Sequence, residues 1–339
     1  MMPNPFKDLR TNKLMSGFLP ALMAGGLLFS APAFANKVYV SNEKGNTVTV
    51  IDSESWETVA EFDAGNRPRG IGISPDGAHL YVCASDDDTI KVFDAKTYEF
   101  LWGLPSGPDP ELFVISPDGG TLYVSNEDDN LVTVVDTAKK TVVAEVPVGV
   151  EPEGMAISPD VRYVVNTSET TNMAHFIATE DYKIKHNILV DQRPRYARFT
   201  NDGKTLYVSS EIGGTVSVID MTGETGPELT WKIGFEVPGV QPEWLQPVGM
   251  RITADNKWLF VALGPANRVA VIDTESHEVA RYILVGQRVW QLEFTPDEKY
   301  LLSTNGNSND ITVIDVAAQE AVKSIQVGQQ PWGVVVAPD

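Results

Sequence analysis

The chain of 339 residues has one cysteine, four histidines and, beyond its first 35 residues, no long apolar run. A lone Cys83 excludes an internal disulfide, so in an oxidising compartment the fold has to be held by packing. C-x-x-C-H does not occur, which excludes covalent c-type haem. A nucleophile elbow, a phosphate-binding loop and an HExxH zinc motif are also missing. His79, His175, His186 and His277 are scattered without ligand spacing. Basic residues are in short supply, 26 against 46 acidic ones, for a net charge of −20. Such a surface repels nucleic acid and anionic headgroups. No helical period runs through the chain after residue 35.

The first 35 residues differ from the rest. Lys7, Arg10 and Lys13 precede the short apolar stretch GFLPALMAGGLLFSA, which ends in Ala33-Phe34-Ala35, a small-x-small cleavage signal. Pro20 interrupts the apolar stretch, which is short for a membrane span. The expected mature chain begins at Asn36, carries a charge of −22, does not insert into a membrane and is a periplasmic monomer.

Repetition dominates the remainder. NKVYVSNEKGNTVTVID at 36–52 returns as TLYVSNEDDNLVTVVD at 121–136 and TLYVSSEIGGTVSVID at 205–220. The closing Asp falls at 52, 94, 136, 220, 273 and 315, with Ala178 in the missing place. Pro68, Pro110, Pro152, Pro194, Pro247 and Pro331 keep the same spacing, and Val289 completes the set. Each unit reads as four short strands, the first two joined by a Pro-Asp-Gly turn. Seven such units predict an all-β fold, a seven-bladed propeller of four-stranded antiparallel blades. The domain boundaries are 1–35 for the signal and 36–339 for the propeller. The chain starts at a second strand and ends after a first one, so the C-terminal strand is expected to complete the N-terminal blade and hide its edge.

Cys83 shares a column with Ser41, Ser125, Thr167, Ser209, Ala262 and Thr304, which makes it a small strand residue. His175 takes the place of a third-strand Thr or Ser and is expected to point outward.

The YVSN phrase and the period near 42 resemble the YVTN-type bacterial β-propellers. CASDDDTIKVFD, SGPDPELF, NTSETTNMAHFI, ALGPANRVAVID and QQPWGVVVAPD are similar to PQQ-dependent catabolism-associated β-propeller proteins, over essentially all of 36–339. The resemblance implies a periplasmic accessory protein found with PQQ-dependent alcohol dehydrogenases and c-type cytochromes, with no assigned reaction and no catalytic residues to carry over. The tryptophan-docking repeats of quinoprotein dehydrogenases are missing, so PQQ is expected as a ligand rather than a catalytic cofactor. Two other readings stay open: a lactonase-like hydrolase, and a docking platform for a dehydrogenase or cytochrome.

Strand parity places the x-Pro-x turns and the second-to-third-strand loops on one face. Inner strands line a propeller's channel, so residues flanking each Pro should ring one mouth. Arg67, Arg69, Arg193, Arg195 and Arg288 supply charge there, and Trp290 and Trp332 supply aromatic faces. Guanidinium forks suit carboxylates and indoles suit planar rings, so this mouth is a candidate site for an anionic aromatic molecule. The alternative at the same residues is salt bridging between blades. Deeper in the inner strand, a column of Gly or apolar residues changes to Arg198, Arg251 and Glu293, with Arg251 and Glu293 expected to pair. Asp109, Glu111, Glu127, Glu151, Glu153 and Glu169 form an acidic sector, a candidate oxygen site for Ca²⁺.

Overall fold

Each sequence unit becomes one sheet. The computed structural model describes residues 36–337, in seven four-stranded antiparallel sheets. Helical structure among the described residues amounts to two short 3₁₀ turns, Ser85–Asp87 and Pro242–Trp244. The signal segment expected at 1–35 lies outside the described residues. No helix among those described is long and apolar enough to cross a membrane.

The blade that spans both ends of the chain has the order Pro331–Ala337, Lys37–Asn42, Thr47–Asp52, Thr58–Asp63. Lys37 pairs with Ala337, Val38 with Val336 and Val40 with Val334, so the last strand is the inner strand of the first blade. We call this blade 1 and number onward along the chain. The inner strands of blades 2 to 7 are Pro68–Ile73, Pro110–Ile115, Pro152–Ile157, Pro194–Phe199, Met250–Ile252 and Val289–Phe294. Valine, isoleucine and leucine from the second and third strands fill the space between adjacent blades.

Two small devices recur in most blades. In the turn after the inner strand, the Ser74 hydroxyl donates to Asp76, and the same carboxylate accepts the Ala78 amide at 3.0 Å. Ser116 with Asp118, Thr200 with Asp202 and Thr253 with Asp255 repeat it. The turn is held by side-chain bonds that stand in for missing backbone ones. The second device uses the column that contains Cys83. The hydroxyls of Ser41, Ser125, Ser209 and Thr304 each donate at 2.7 Å to a carbonyl of the next blade's inner segment: Arg69, Glu153, Val248 and Trp332. These bonds staple blade to blade. Cys83 itself is fully buried, and burial pushes its thiol well above the ordinary value.

His175 departs from expectation. It is buried at 7% exposure, shares a 2.6 Å hydrogen bond with Asn187 across the strand pair and accepts the Gly149 amide at 3.0 Å. An imidazole between a side-chain amide and a backbone N–H is satisfied on both nitrogens, so it packs where Thr49, Thr133, Ser217 and Thr312 sit in four other blades.

Candidate functional site

The inner strands bring the charged residues into two layers at different depths of the channel. At the x-Pro-x face, Arg67, Asp109, Glu151, Arg193 and Arg288 take left-handed backbone conformations, with φ between 51° and 59°. Each N–H is held by a side chain of the preceding blade: Arg67 by Asn46 at 3.0 Å, Arg193 by Asn172 at 3.1 Å, Arg288 by Asn267 at 2.8 Å. Register shifts just after the prolines turn the following residue inward.

The side chains so aimed engage each other. Arg67 reaches Glu111 at 2.6 Å and Asp109 at 3.0 Å, and Arg69 also bonds Glu111. Arg195 meets Glu153 at 2.9 Å and bonds Glu169. Arg193 contacts Glu169 at 2.7 Å, and Arg288 contacts Glu211 at 2.8 Å. Trp332 is 1% exposed with the Arg69 guanidinium 4.7 Å from its ring centre, and Arg288 lies 4.3 Å from the Trp290 ring. The result is a dense ion-pair layer in which arginine forks already hold Asp and Glu side chains. Burial pushes Glu111 well above the carboxylate range, while burial and the adjoining Glu153 push Glu169 up to about 8. Glu153 is drawn down against its burial by Arg195 and Arg69.

Of the acidic sector, the structure brings Asp109, Glu111 and Glu127 together, with one oxygen of each within 4.8 Å of the others. Glu151 instead accepts the Thr170 hydroxyl, and Glu153 and Glu169 turn toward Arg195. Arg67 and Arg69 share one Glu111 oxygen and Arg67 also pairs with Asp109, so two guanidinium charges already stand beside this cluster.

The second layer lines a cavity of 420 Å³ that draws residues from all seven inner strands. It reaches Pro75, Pro117 and Pro159 of the Pro-Asp turns, so it extends to the face opposite the ion-pair layer, and Trp332 is part of its lining. Its walls are unlike. Blades 5 to 7 supply Tyr196, Arg198, Arg251, Gln291 and Glu293 beside Ala197 and Phe199, whereas blades 1 to 4 supply apolar side chains and, at one turn, Ser116.

The expected pair forms: Arg251 donates to both Glu293 oxygens, at 3.1 and 2.8 Å, and also bonds the Tyr196 hydroxyl. Although burial opposes it, Glu293 holds the Arg251 guanidinium above the ordinary arginine value. Arg198 lacks such a partner. Its guanidinium makes no ion pair or hydrogen bond among the described residues, and its Nε is buried without an acceptor. Burial and the neighbouring Arg251 both push its guanidinium down. A guanidinium so placed keeps N–H donors that can meet an anion entering the cavity.

Sequence reasoning found the three charged residues of this cavity but centred on the other mouth. It passed over the carbon wall, although the inner-strand columns of blades 2 to 4 are apolar in the sequence. It also gave Glu211 no role, though that residue holds Arg288 at a position equivalent to Glu127 and Glu169.

Residues 179–331 match the model of the lactonase, seven-bladed β-propeller family, and residues 57–94 match that of the WD domain, G-beta repeat. No curated protein sequence matches the chain. Among solved structures, hydrazine synthase of Kuenenia stuttgartiensis is similar with TM-score 0.76 at 22% identity, over 89% of this chain and 99% of that one. A putative 6-phosphogluconolactonase of Bacteroides uniformis gives 0.76 at 17%, over 89% and 99%. The periplasmic gluconolactonase of Pseudomonas aeruginosa gives 0.73 at 17%, also over 89% and 99%. At these identities the likeness is one of fold.

Proposed function

We propose that this protein is a lactonase-like hydrolase that takes a small lactone, and the hydroxy acid formed from it, into the channel cavity. The observation that carries the reading is the unpaired guanidinium of Arg198 beside the Arg251–Glu293 pair. The lactonase-family match supports it, because residues 179–331 are the part of the chain that supplies Arg198, Arg251 and Glu293.

The chemistry follows from placement. A lactone carbonyl directed at Arg198 meets a fixed positive charge where the oxyanion develops. Glu293 takes a proton from the attacking water, and the resulting hydroxide adds to the carbonyl carbon. Collapse of the tetrahedral intermediate breaks the ring acyl–oxygen bond, and the proton passes from Glu293 to the leaving ring oxygen. The product is an open hydroxy acid, which gives up its acyl proton to solvent and leaves a carboxylate whose charge faces Arg198. Arg251 orients Glu293 through its two-point grip. Export through the segment ending at Ala35 belongs to the same reading, and the periplasmic gluconolactonase of like fold supports it.

The test is hydrolysis of a panel of γ- and δ-lactones by the wild type and by Arg198→Ala. Turnover above background, reduced about 100-fold in the variant, is the expected result for loss of one oxyanion partner. Carboxylates that bind through Arg198 without any lactone being opened would return the protein to the accessory binding role that its sequence phrases suggest.

A further inference from the structure

We infer that the ligand of this cavity carries an apolar tail, so that its substrates are alkyl- or aryl-substituted lactones rather than polyhydroxylated, sugar-derived ones. The inference rests on the lactone reading but comes from the opposite wall. Ile71, Ile73, Phe113, Ile115, Ile157 and Val335 all line the cavity, and each is only half-buried. A stretch of carbon this long, left partly open inside a channel, is the usual lining of a small-molecule site.

Polarity is segregated by blade. The inner-strand column that holds Arg198, Arg251 and Glu293 in blades 5 to 7 holds Gly72, Val114 and Ala156 in blades 2 to 4. Those three side chains offer no donor or acceptor. Gly72 also has a steric reason: a Cβ there would come within 2.9 Å of the Phe113 ring, so the bare backbone gives that ring its place in the wall.

A ligand filling the cavity therefore has a polar head at Arg198 and carbon toward Phe113. A sugar lactone would turn hydroxyls to that wall. Each hydroxyl left without a partner weakens binding by a factor of about five or more. Each methylene placed there strengthens it about fourfold.

The experiment has two arms. The first measures kcat/KM for γ-lactones bearing methyl to hexyl tails, with glucono-δ-lactone for comparison. The second measures binding of butanoate, hexanoate, octanoate and gluconate by tryptophan fluorescence, Trp332 being part of the lining. The expected outcome is a rise of about fourfold per methylene until the wall is covered, with the gluco compounds weakest. Phe113→Ala and Ile115→Thr should flatten that rise, whereas Arg198→Ala should lower every member of the series alike.

Chain-length dependence in the binding arm without hydrolysis would keep the tail and remove the hydrolase. Hydrolysis that is indifferent to tail length, or fastest with glucono-δ-lactone, would keep the hydrolase and overturn the tail. Absence of both binding and turnover would overturn both.

Discussion

A guanidinium in a cavity wall usually comes with a carboxylate, and Arg251 and Arg198 differ on that one point. Arg251 has Glu293 on two oxygens, so removing either partner strands a charge. Breaking a pair of this kind costs about 3–5 kcal/mol when it is fully buried, and less here, where the side chains are 13% and 22% exposed. Arg198 has nothing to strand. The two substitutions should therefore move stability in opposite directions. Glu293→Gln is expected to lower Tm by several degrees. Arg198→Leu is expected to raise it, through a gain in stability of the ~0.5–2 kcal/mol typical of sites that hold a destabilising feature for function. Thermal unfolding of the two variants beside wild type checks this, and a lowered Tm in Arg198→Leu would mean that Arg198 is structurally paired after all.

At the scale of strands and turns, the same bonds recur around the ring. The hydroxyl staple is one: Ser125 donates to the Glu153 carbonyl of the next blade at 2.7 Å, in a fully buried position. Ser125→Ala should cost about 1 kcal/mol, or more if the carbonyl stays unmet, measured by denaturant unfolding. The strand Pro331–Ala337 is the larger case, since it alone gives blade 1 its inner edge. Deleting residues 331–339 should leave the edge of Lys37–Asn42 unpaired and open the ring between blades 1 and 7. Aggregation or loss of cooperative unfolding is the expected result. A truncated protein that stays monomeric with unchanged Tm would contradict closure by this strand.

For the molecule as a whole, the ion-pair layer sets a pH dependence. Glu169 shifts from 4.5 to about 8 on folding, because burial and the nearby Glu153 disfavour its charged form. Between those values the folded chain keeps a proton that the unfolded chain has lost. Protonation then favours the fold, and stability falls as pH rises from about 4.5 toward 8. One such proton gives a slope of at most about 1.4 kcal/mol per pH unit. Glu111, raised in the same direction, adds to the slope. His175, lowered by burial, opposes it only below its unfolded value of 6.5, since stability from a depressed histidine grows as pH rises toward that value and levels off above it. Unfolding of wild type and Glu169→Gln from pH 5 to 8 (roughly the window of the Glu169 shift) checks the balance, and the variant should show the flatter curve.

The sequence by itself determined the architecture. A Pro, a Pro-Asp turn and a third-strand Asp recurring near every 42 residues fix strand number and turn positions locally, and the split phrase at the two ends dictates closure. It also foretold the Arg251–Glu293 pair, because one inner-strand column faces the channel and adjacent blades place equal columns side by side. Only the tertiary structure decided which charges stay free. Arg67, Arg69, Arg193, Arg195 and Arg288 read in sequence like a positive mouth, yet each is taken up by a Glu side chain from another blade or loop. Arg198 reads like one of them and is left over, because the equivalent residues of the blades beside it are Ala156 and another arginine. Pairing depends on distance across the ring, and no local run of residues encodes it.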